Sequence, residues 1–121
     1  MKRLLLVEDD AFLVRVYRTK LKQLGYEVEI MTDGKEVFAW CKKNMPELVV
    51  LDVVMPEKDG FTVLKELKES EDTRKIPVLV LTNLKGDDDK ESLVGLGAEK
   101  VLVKSESSFS DVVTRIREIA G

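Results

Sequence analysis

Short apolar runs alternate with segments of helical periodicity along the whole chain. Three of these runs, at Arg3–Val7, Leu48–Leu51 and Val78–Leu81, are largely apolar without a break. Continuous rather than alternating apolar character is typical of parallel strands that are covered on both faces. The three runs therefore predict the central strands of a parallel sheet.

The segments after the first, second and third strands carry apolar residues at helical spacing, which predicts one amphipathic helix in each. Asp10 is a candidate N-cap for the first helix, Gly25 lies where its C-cap is expected, and Asp33 is a plausible N-cap for the second. The apolar positions are Leu13, Val16, Tyr17, Leu21 and Leu24 in the first helix, Val37, Phe38 and Cys41 in the second, and Phe61, Leu64 and Leu67 in the third.

Two more strands and two more helices complete the pattern. Glu27–Met31 predicts a second strand at a sheet edge, and Lys100–Val103 predicts a fifth strand. Asp87–Leu96 predicts a weaker fourth helix, because Gly95 costs about 1 kcal/mol relative to alanine. Ser110 is the predicted N-cap of the last helix, whose apolar face follows directly.

Five strand-helix units predict an α/β fold with a doubly wound, five-stranded parallel sheet, strand order 2-1-3-4-5, and five helices, as in flavodoxin-like folds. No repeat, low-complexity tract or linker divides the chain, so residues 1–121 are expected to form a single domain. Ligands of such sheets bind at the carboxyl ends of the strands. Functional residues should therefore follow strands one, three, four and five.

Polar residues stand at these four strand ends: Glu8 and Asp9 after the first, Asp52 after the third, Thr82 ending the fourth and Lys104 after the fifth. Carboxylates gathered in one crevice repel each other unless a cation joins them. The chain has no histidine, which leaves hard oxygen ligands and predicts Mg²⁺, Mn²⁺ or Ca²⁺. A carboxylate can attack phosphorus while a metal and a lysine neutralise the phosphoryl oxygens.

Simpler interpretations exist for several acidic and polar residues. Asp10 alone is best explained as a helix cap, and the run Asp87–Asp89 as an acidic first turn that complements the helix dipole. Taken singly, Thr82 could be an ordinary strand residue and Lys104 an ordinary solvated lysine. Asp52 is different, because an acid directly after a buried apolar run needs partners.

Composition narrows the class of protein. Apolar residues make up 44% of the chain and charged residues 36%, as expected of a folded domain with a charged surface. A net charge of −3 gives no basic footprint for nucleic acid. No apolar run is long enough for a membrane span or a signal peptide, so a cytoplasmic protein is expected. Cys41 is predicted to be a small apolar residue of a helix.

Five motifs follow one another along the chain: Leu5–Asp10, Val50–Pro56, Asp59–Phe61, Val80–Thr82 and Leu102–Lys104. In this order and spacing they resemble the receiver domains of two-component response regulators over essentially the whole chain. The resemblance implies that Asp52 is phosphorylated, that Mg²⁺, for which Mn²⁺ could substitute, is ligated by Asp9 and Asp52, and that Glu8 supports it through water. It also implies a metal contact from the Val54 carbonyl.

The same resemblance assigns the remaining site residues and the partners. Thr82 would hydrogen-bond the phosphoryl group, Lys104 would pair with it, and Met55, Pro56 and Gly60 would shape the loop after Asp52. The donor would be a phosphohistidine on a sensor histidine kinase or histidine phosphotransfer protein, and the output an unidentified downstream protein. The domain would catalyse only its own phosphorylation and slow dephosphorylation. Pairing of two phosphorylated copies through the last two helices is left open.

Three positions depart from the pattern of the family. Ser105 follows Lys104 where a proline is usual, Val101 stands where an aromatic residue is usual, and Asn83 replaces a small residue. These changes touch signalling more than chemistry. The expected route of output is the fourth helix and its loop, where Gly86 and Gly95 lower local stability.

Two other classes of function compete with a phosphoacceptor. A receiver-like adaptor would keep the fold and signal by protein binding without phosphate. An enzyme, either an aspartyl phosphatase or a nucleotide binder, would sit on a related fold. The phosphatase needs a second acid where Val54 stands, and a nucleotide binder needs a glycine-rich loop where the acidic residues 8–10 stand.

Overall fold

The structure is a computed structural model that describes residues 2–54, 59–84 and 86–121. In these ranges strands and helices alternate strictly, and one turn of 3₁₀ helix, Lys104–Glu106, precedes the last α-helix. The elements are β1 (Arg3–Val7), α1 (Ala11–Gln23), β2 (Glu27–Met31), α2 (Val37–Asn44), β3 (Leu48–Leu51), α3 (Gly60–Glu69), β4 (Val78–Thr82), α4 (Asp87–Gly95), β5 (Lys100–Val103) and α5 (Phe109–Ala120).

The five strands form one parallel sheet in the order β2-β1-β3-β4-β5, which confirms the predicted topology. The central strands β1, β3 and β4 are almost entirely buried, whereas β2 at one edge is partly exposed. In the register, Val7 pairs with Leu51 and Thr82 with Val103. The carboxyl ends of the strands therefore meet along one edge, where the candidate site residues follow.

Alternate residues of the strands feed two hydrophobic cores on opposite faces of the sheet, which explains why the strands are apolar without a break. One core packs against α2, α3 and α4, and the other packs against α1 and α5. The strand residues in the first core are Leu5, Val7, Val49, Leu51, Val78 and Val80, and those in the second are Leu4, Leu6, Leu48, Val50, Leu79 and Leu81. Within the described ranges, no helix is long and apolar enough to cross a bilayer.

The first helix begins as predicted and the last does not. Asp10 caps α1, because its Oδ1 accepts hydrogen bonds from the N–H groups of Phe12 and Leu13 at 3.0 and 3.2 Å. The prediction that Ser110 caps α5 is wrong. Ser108 does so instead, in a reciprocal capping box in which its hydroxyl accepts from the Asp111 N–H and the Asp111 carboxylate accepts from the Ser108 N–H.

The start of α2 also differs from expectation. Asp33 is not its N-cap, because the Asp33 carboxylate accepts a hydrogen bond from the Lys35 N–H at 2.8 Å in the preceding turn. Glu36 occupies the cap position without a side-chain bond, and the helix begins at Val37. Within α2 the thiol of Cys41 is fully buried, and burial raises its pKa to about 12, which fits the apolar role predicted for it.

Gly60 lets the start of α3 press against the backbone that follows β3. A Cβ atom at this position would lie 2.2 Å from the Cα of Val53 and 2.9 Å from the carbonyl oxygen of Asp52. Both neighbours are backbone atoms, so no side-chain movement can relieve the clash. Glycine is therefore required for the helix to hold the segment that carries Asp52.

We expect Gly60→Ala to lower the free energy of unfolding by about 2 kcal/mol or more, because the added methyl group forces α3 away from β3. Gly95→Ala is the matched control, since a Cβ there meets nothing within 4 Å. The control should raise stability by up to about 1 kcal/mol through helix propensity. Urea denaturation of both variants measures the two values, and equal stabilities would contradict the close approach at Gly60.

Candidate functional site

Side chains from three strand ends meet around one ammonium group. Lys104 Nζ lies 2.8 Å from Asp52 Oδ2 and 2.5 Å from Glu8 Oε1. The side chains are only 16%, 8% and 4% exposed respectively, so the charges face each other with little water between them. A lysine placed between two buried carboxylates offsets part of their desolvation cost.

Asp52 is held by both of its carboxylate oxygens. Its Oδ1 accepts a hydrogen bond from the Val54 N–H at 3.0 Å, while Oδ2 pairs with Lys104. Its own N–H donates to the carbonyl of Val7 at 3.0 Å and so carries the β1–β3 ladder up to the site. The carboxylate is therefore fixed at the end of a rigid strand rather than on a free loop.

Glu8 is engaged in the same way at the end of β1. Its Oε2 accepts from the N–H groups of Asp9 and Asp10, at 3.0 and 3.2 Å, and its Oε1 faces Lys104. The sequence predicted a supporting role for Glu8 at a metal and missed its direct pairing with the lysine. The available signal was that both residues follow strands of the same sheet and carry long side chains.

The pKa values of the pair follow from burial and from this contact. Burial raises the pKa of Glu8, and the bonds from Lys104 and from the Asp10 N–H offset only part of that rise. Burial alone would lower the pKa of Lys104, but its bonds to Asp52 and Glu8 outweigh it and raise the pKa above the usual lysine value. The lysine therefore remains charged at neutral pH.

Asp9 completes an acidic group that suits a divalent cation. One carboxylate oxygen each of Glu8, Asp9 and Asp52 lies within 4.8 Å of the others. Asp9 is exposed, which leaves a path for water and ligands, and three hard oxygens match what Mg²⁺ or Mn²⁺ takes. Among the residues that the structure describes, the run Asp87–Asp89 forms the first turn of α4 and no such group.

The remaining predicted site residues lie around this cluster. Thr82 is fully buried at the end of β4, where its hydroxyl oxygen accepts a 3.5 Å hydrogen bond from the Leu84 N–H. Val54 is 57% exposed beside Asp52. The contact of Thr82 with a phosphoryl group and that of the Val54 carbonyl with a metal stay predictions. Met55 and Pro56 lie outside the described residues.

A doubly wound parallel sheet that gathers an acidic cluster and a paired lysine at its carboxyl edge defines a signalling domain of the receiver class. Residues 4–117 match the response regulator receiver domain family, and the chain belongs to that family. It is thus a receiver domain of the two-component type, with the acidic group that is typical of the phosphoacceptor site.

Individual relatives agree with this assignment. The probable transcriptional regulator ycf27 of Cyanophora paradoxa is 37% identical over 118 residues, which cover 98% of this chain but 48% of that protein. The chain therefore spans about half the length of that relative. A putative response regulator from Chloroflexus aurantiacus superposes with a TM-score of 0.88 at 29% identity, covering 98% of this chain and 97% of that one.

The Mn²⁺-bound form of response regulator Rcp1 is also similar. It superposes with a TM-score of 0.83 at 32% identity, and the match covers 98% of this chain and 91% of that one. The shared fold extends over nearly all of both chains.

Removing the positive charge of Lys104 should destabilise the metal-free protein. We expect Lys104→Met to lower the free energy of unfolding by about 3 kcal/mol, because it leaves buried carboxylates without their counter-charge. Mg²⁺ should replace part of that charge, so the rise in Tm on adding MgCl₂ should be larger in the variant than in the wild type. Thermal melts with and without Mg²⁺ measure both effects.

Lys65→Met is the matched control, because Lys65 is an exposed lysine within α3. It should change stability by no more than about 0.5 kcal/mol and leave the response to Mg²⁺ as in the wild type. An equal response to Mg²⁺ in the wild type and Lys104→Met would show that lysine and metal do not share the same carboxylates.

Proposed function

We propose that residues 1–121 act as one receiver domain that accepts a phosphoryl group on Asp52 from a phosphohistidine donor. The observation that carries the proposal is the way in which the Asp52 carboxylate is fixed. One of its oxygens accepts a hydrogen bond from the Val54 N–H, the other pairs with Lys104 Nζ, and the Asp9 carboxylate lies nearby. A buried carboxylate fixed in this way needs little reorganisation before it attacks phosphorus.

Glu8, Asp9 and Asp52, with the backbone carbonyl of Val54, would hold the metal, which we propose to be Mg²⁺ with Mn²⁺ as a substitute. The Mn²⁺-bound form of Rcp1, a relative by fold and sequence, supports a divalent ion of this type. We propose that Glu8, whose Oε2 accepts from two backbone N–H groups and whose Oε1 faces Lys104, supports the ion through water. When bound, the ion supplies charge neutralisation at the phosphoryl oxygens.

The transfer step is balanced by groups of this chain and of the donor. An oxygen of the Asp52 carboxylate attacks phosphorus, and the bond from phosphorus to the imidazole nitrogen of the donor breaks. The electron pair of that bond stays on the nitrogen, and a donor ring that carries a proton on its second nitrogen leaves as neutral imidazole. Residues 1–121 contain no histidine, so the phosphohistidine lies outside this sequence, and we propose a sensor histidine kinase or a histidine phosphotransfer protein as the donor.

Lys104 and Thr82 act on the transferred group. The raised pKa of Lys104 keeps its ammonium charged, so that it moves from the Asp52 carboxylate to a phosphoryl oxygen without losing its proton. The Thr82 hydroxyl donates to another phosphoryl oxygen. Beyond this reaction and slow hydrolysis of its own aspartyl phosphate, the domain turns over no substrate.

A phosphoryl donor of low molecular mass provides the direct test. Incubation with phosphoramidate or acetyl phosphate and Mg²⁺ should add one phosphoryl group per chain, measured by intact mass. Asp52→Asn removes the nucleophile and should abolish the adduct, and chelation of the metal should do the same.

Asp59→Asn is the matched control, because the Asp59 carboxylate caps α3 through the Phe61 N–H and does not belong to the acidic group. It should retain the adduct. No adduct on the wild type, together with absent Mg²⁺ binding, would favour an adaptor that signals without phosphate.

We further propose that output runs through α4. Its N-cap, Gly86, gives no side-chain hydrogen bond, and the helix follows the strand that ends in Thr82. Phosphorylation should therefore change hydrogen exchange in residues 86–96 while α2 keeps its protection. Hydrogen exchange by mass spectrometry compares the two states, and equal protection of residues 86–96 in both would contradict output through this helix.

A further inference from the structure

Asn83 and Ser105 form a hydrogen bond just beyond the end of the sheet. The last pair of the β4–β5 ladder joins Thr82 to Val103. Past that pair, the side-chain oxygen Oδ1 of Asn83 accepts from the Ser105 N–H at 3.2 Å. The amide side chain thus adds a link between the two strand ends where the backbone ladder stops.

Both partners are direct chain neighbours of site residues. Asn83 follows Thr82, and Ser105 follows Lys104. Their bond therefore ties the loop after β4 to the loop after β5, at the point where Lys104 reaches towards Asp52. These are also two of the positions at which the sequence departs from the pattern of its family, and the structure joins them.

The Ser105 N–H needs a partner outside its own helical turn. It lies in the single 3₁₀ turn Lys104–Glu106, and N–H groups in the first turn of any helix have no partner within it. The turn is held weakly by its own backbone, since the Ser107 N–H lies 3.5 Å from the Lys104 carbonyl. Asn83 supplies an acceptor and fixes the direction of the chain after Lys104.

We infer that Asn83 is a positioning residue for Lys104, because its side chain anchors Ser105 and thereby aims the lysine at Asp52. The inference rests on the proposed function, in which Lys104 neutralises the phosphoryl group. Asn83 touches neither of the two carboxylates that Lys104 pairs with, so its effect passes through the backbone of residues 104 and 105.

Substitutions at the two positions separate the hydrogen bond from other changes. Asn83→Ala removes the acceptor and Ser105→Pro removes the donor, so each should slow phosphorylation by phosphoramidate about threefold to tenfold, the effect of one ordinary hydrogen bond. Ser105→Ala is the matched control, because it keeps the N–H and should react at the wild-type rate. Both positions are exposed, so the Tm of Asn83→Ala should stay close to that of the wild type.

A double-mutant cycle then tests whether the two positions act together. Asn83→Ala should slow the reaction in the Ser105→Ala background and have no further effect in the Ser105→Pro background. Independent effects in the two backgrounds would overturn the inference, since a residue that acts through the Ser105 N–H cannot act once that group is gone.

A spectroscopic readout distinguishes failure of this inference from failure of the proposed function. In protein labelled with ¹³C-lysine, the Cε resonance of Lys104, assigned by its loss in Lys104→Met, should shift towards that of solvated lysines in Asn83→Ala but not in Ser105→Ala. A wild-type chain that neither gains a phosphoryl adduct nor binds Mg²⁺ overturns the proposed function, and the resonance alone then decides the positioning role. A phosphorylated chain with unchanged rate and resonance in Asn83→Ala overturns the positioning role.

Discussion

The ammonium of Lys104 between the carboxylates of Glu8 and Asp52 is the interaction on which the site depends. The sheet brings its strand ends to one edge, but the acids gathered there would repel each other without a cation. Three carboxylates and one ammonium still leave an excess of negative charge. A divalent ion would neutralise that excess, so one arrangement accounts for the stability of the cluster and for the metal-assisted phosphoryl transfer that we propose.

Topology was predictable from the sequence because burial of a strand on both faces gives a simple pattern of apolar residues. The central strands, which feed both cores, form nearly continuous apolar runs, and such runs stand out from the amphipathic helices between them. Helix caps were harder to predict. Ser108 and Ser110 are equally good cap residues, and the helix begins after Ser108 because Asp111 completes its capping box. Asp33 was misassigned because the same carboxylate can serve a turn as well as a helix.

The site was predictable as a set of residues but not as a set of contacts. Chain order and the direction of parallel strands place Asp52, Thr82 and Lys104 at one edge, and that much follows from pattern alone. The pairing of Glu8 with Lys104 depends on how two long side chains cross the ends of the strands between them. Likewise, the contact of Gly60 with the backbone after Asp52 depends on how closely α3 approaches β3.

Contacts next to the site also determine how it communicates with its surroundings. Val101, Leu84 and Leu96 pack partly buried against one core, and a β-branched valine has few alternative rotamers there. A switch needs an element with two arrangements, which Val101 does not offer. The hydrogen bond between Asn83 and Ser105 instead links the chain after Lys104 to the loop after β4. A movement of Lys104 would therefore first displace the loop after β4, which leads directly into α4.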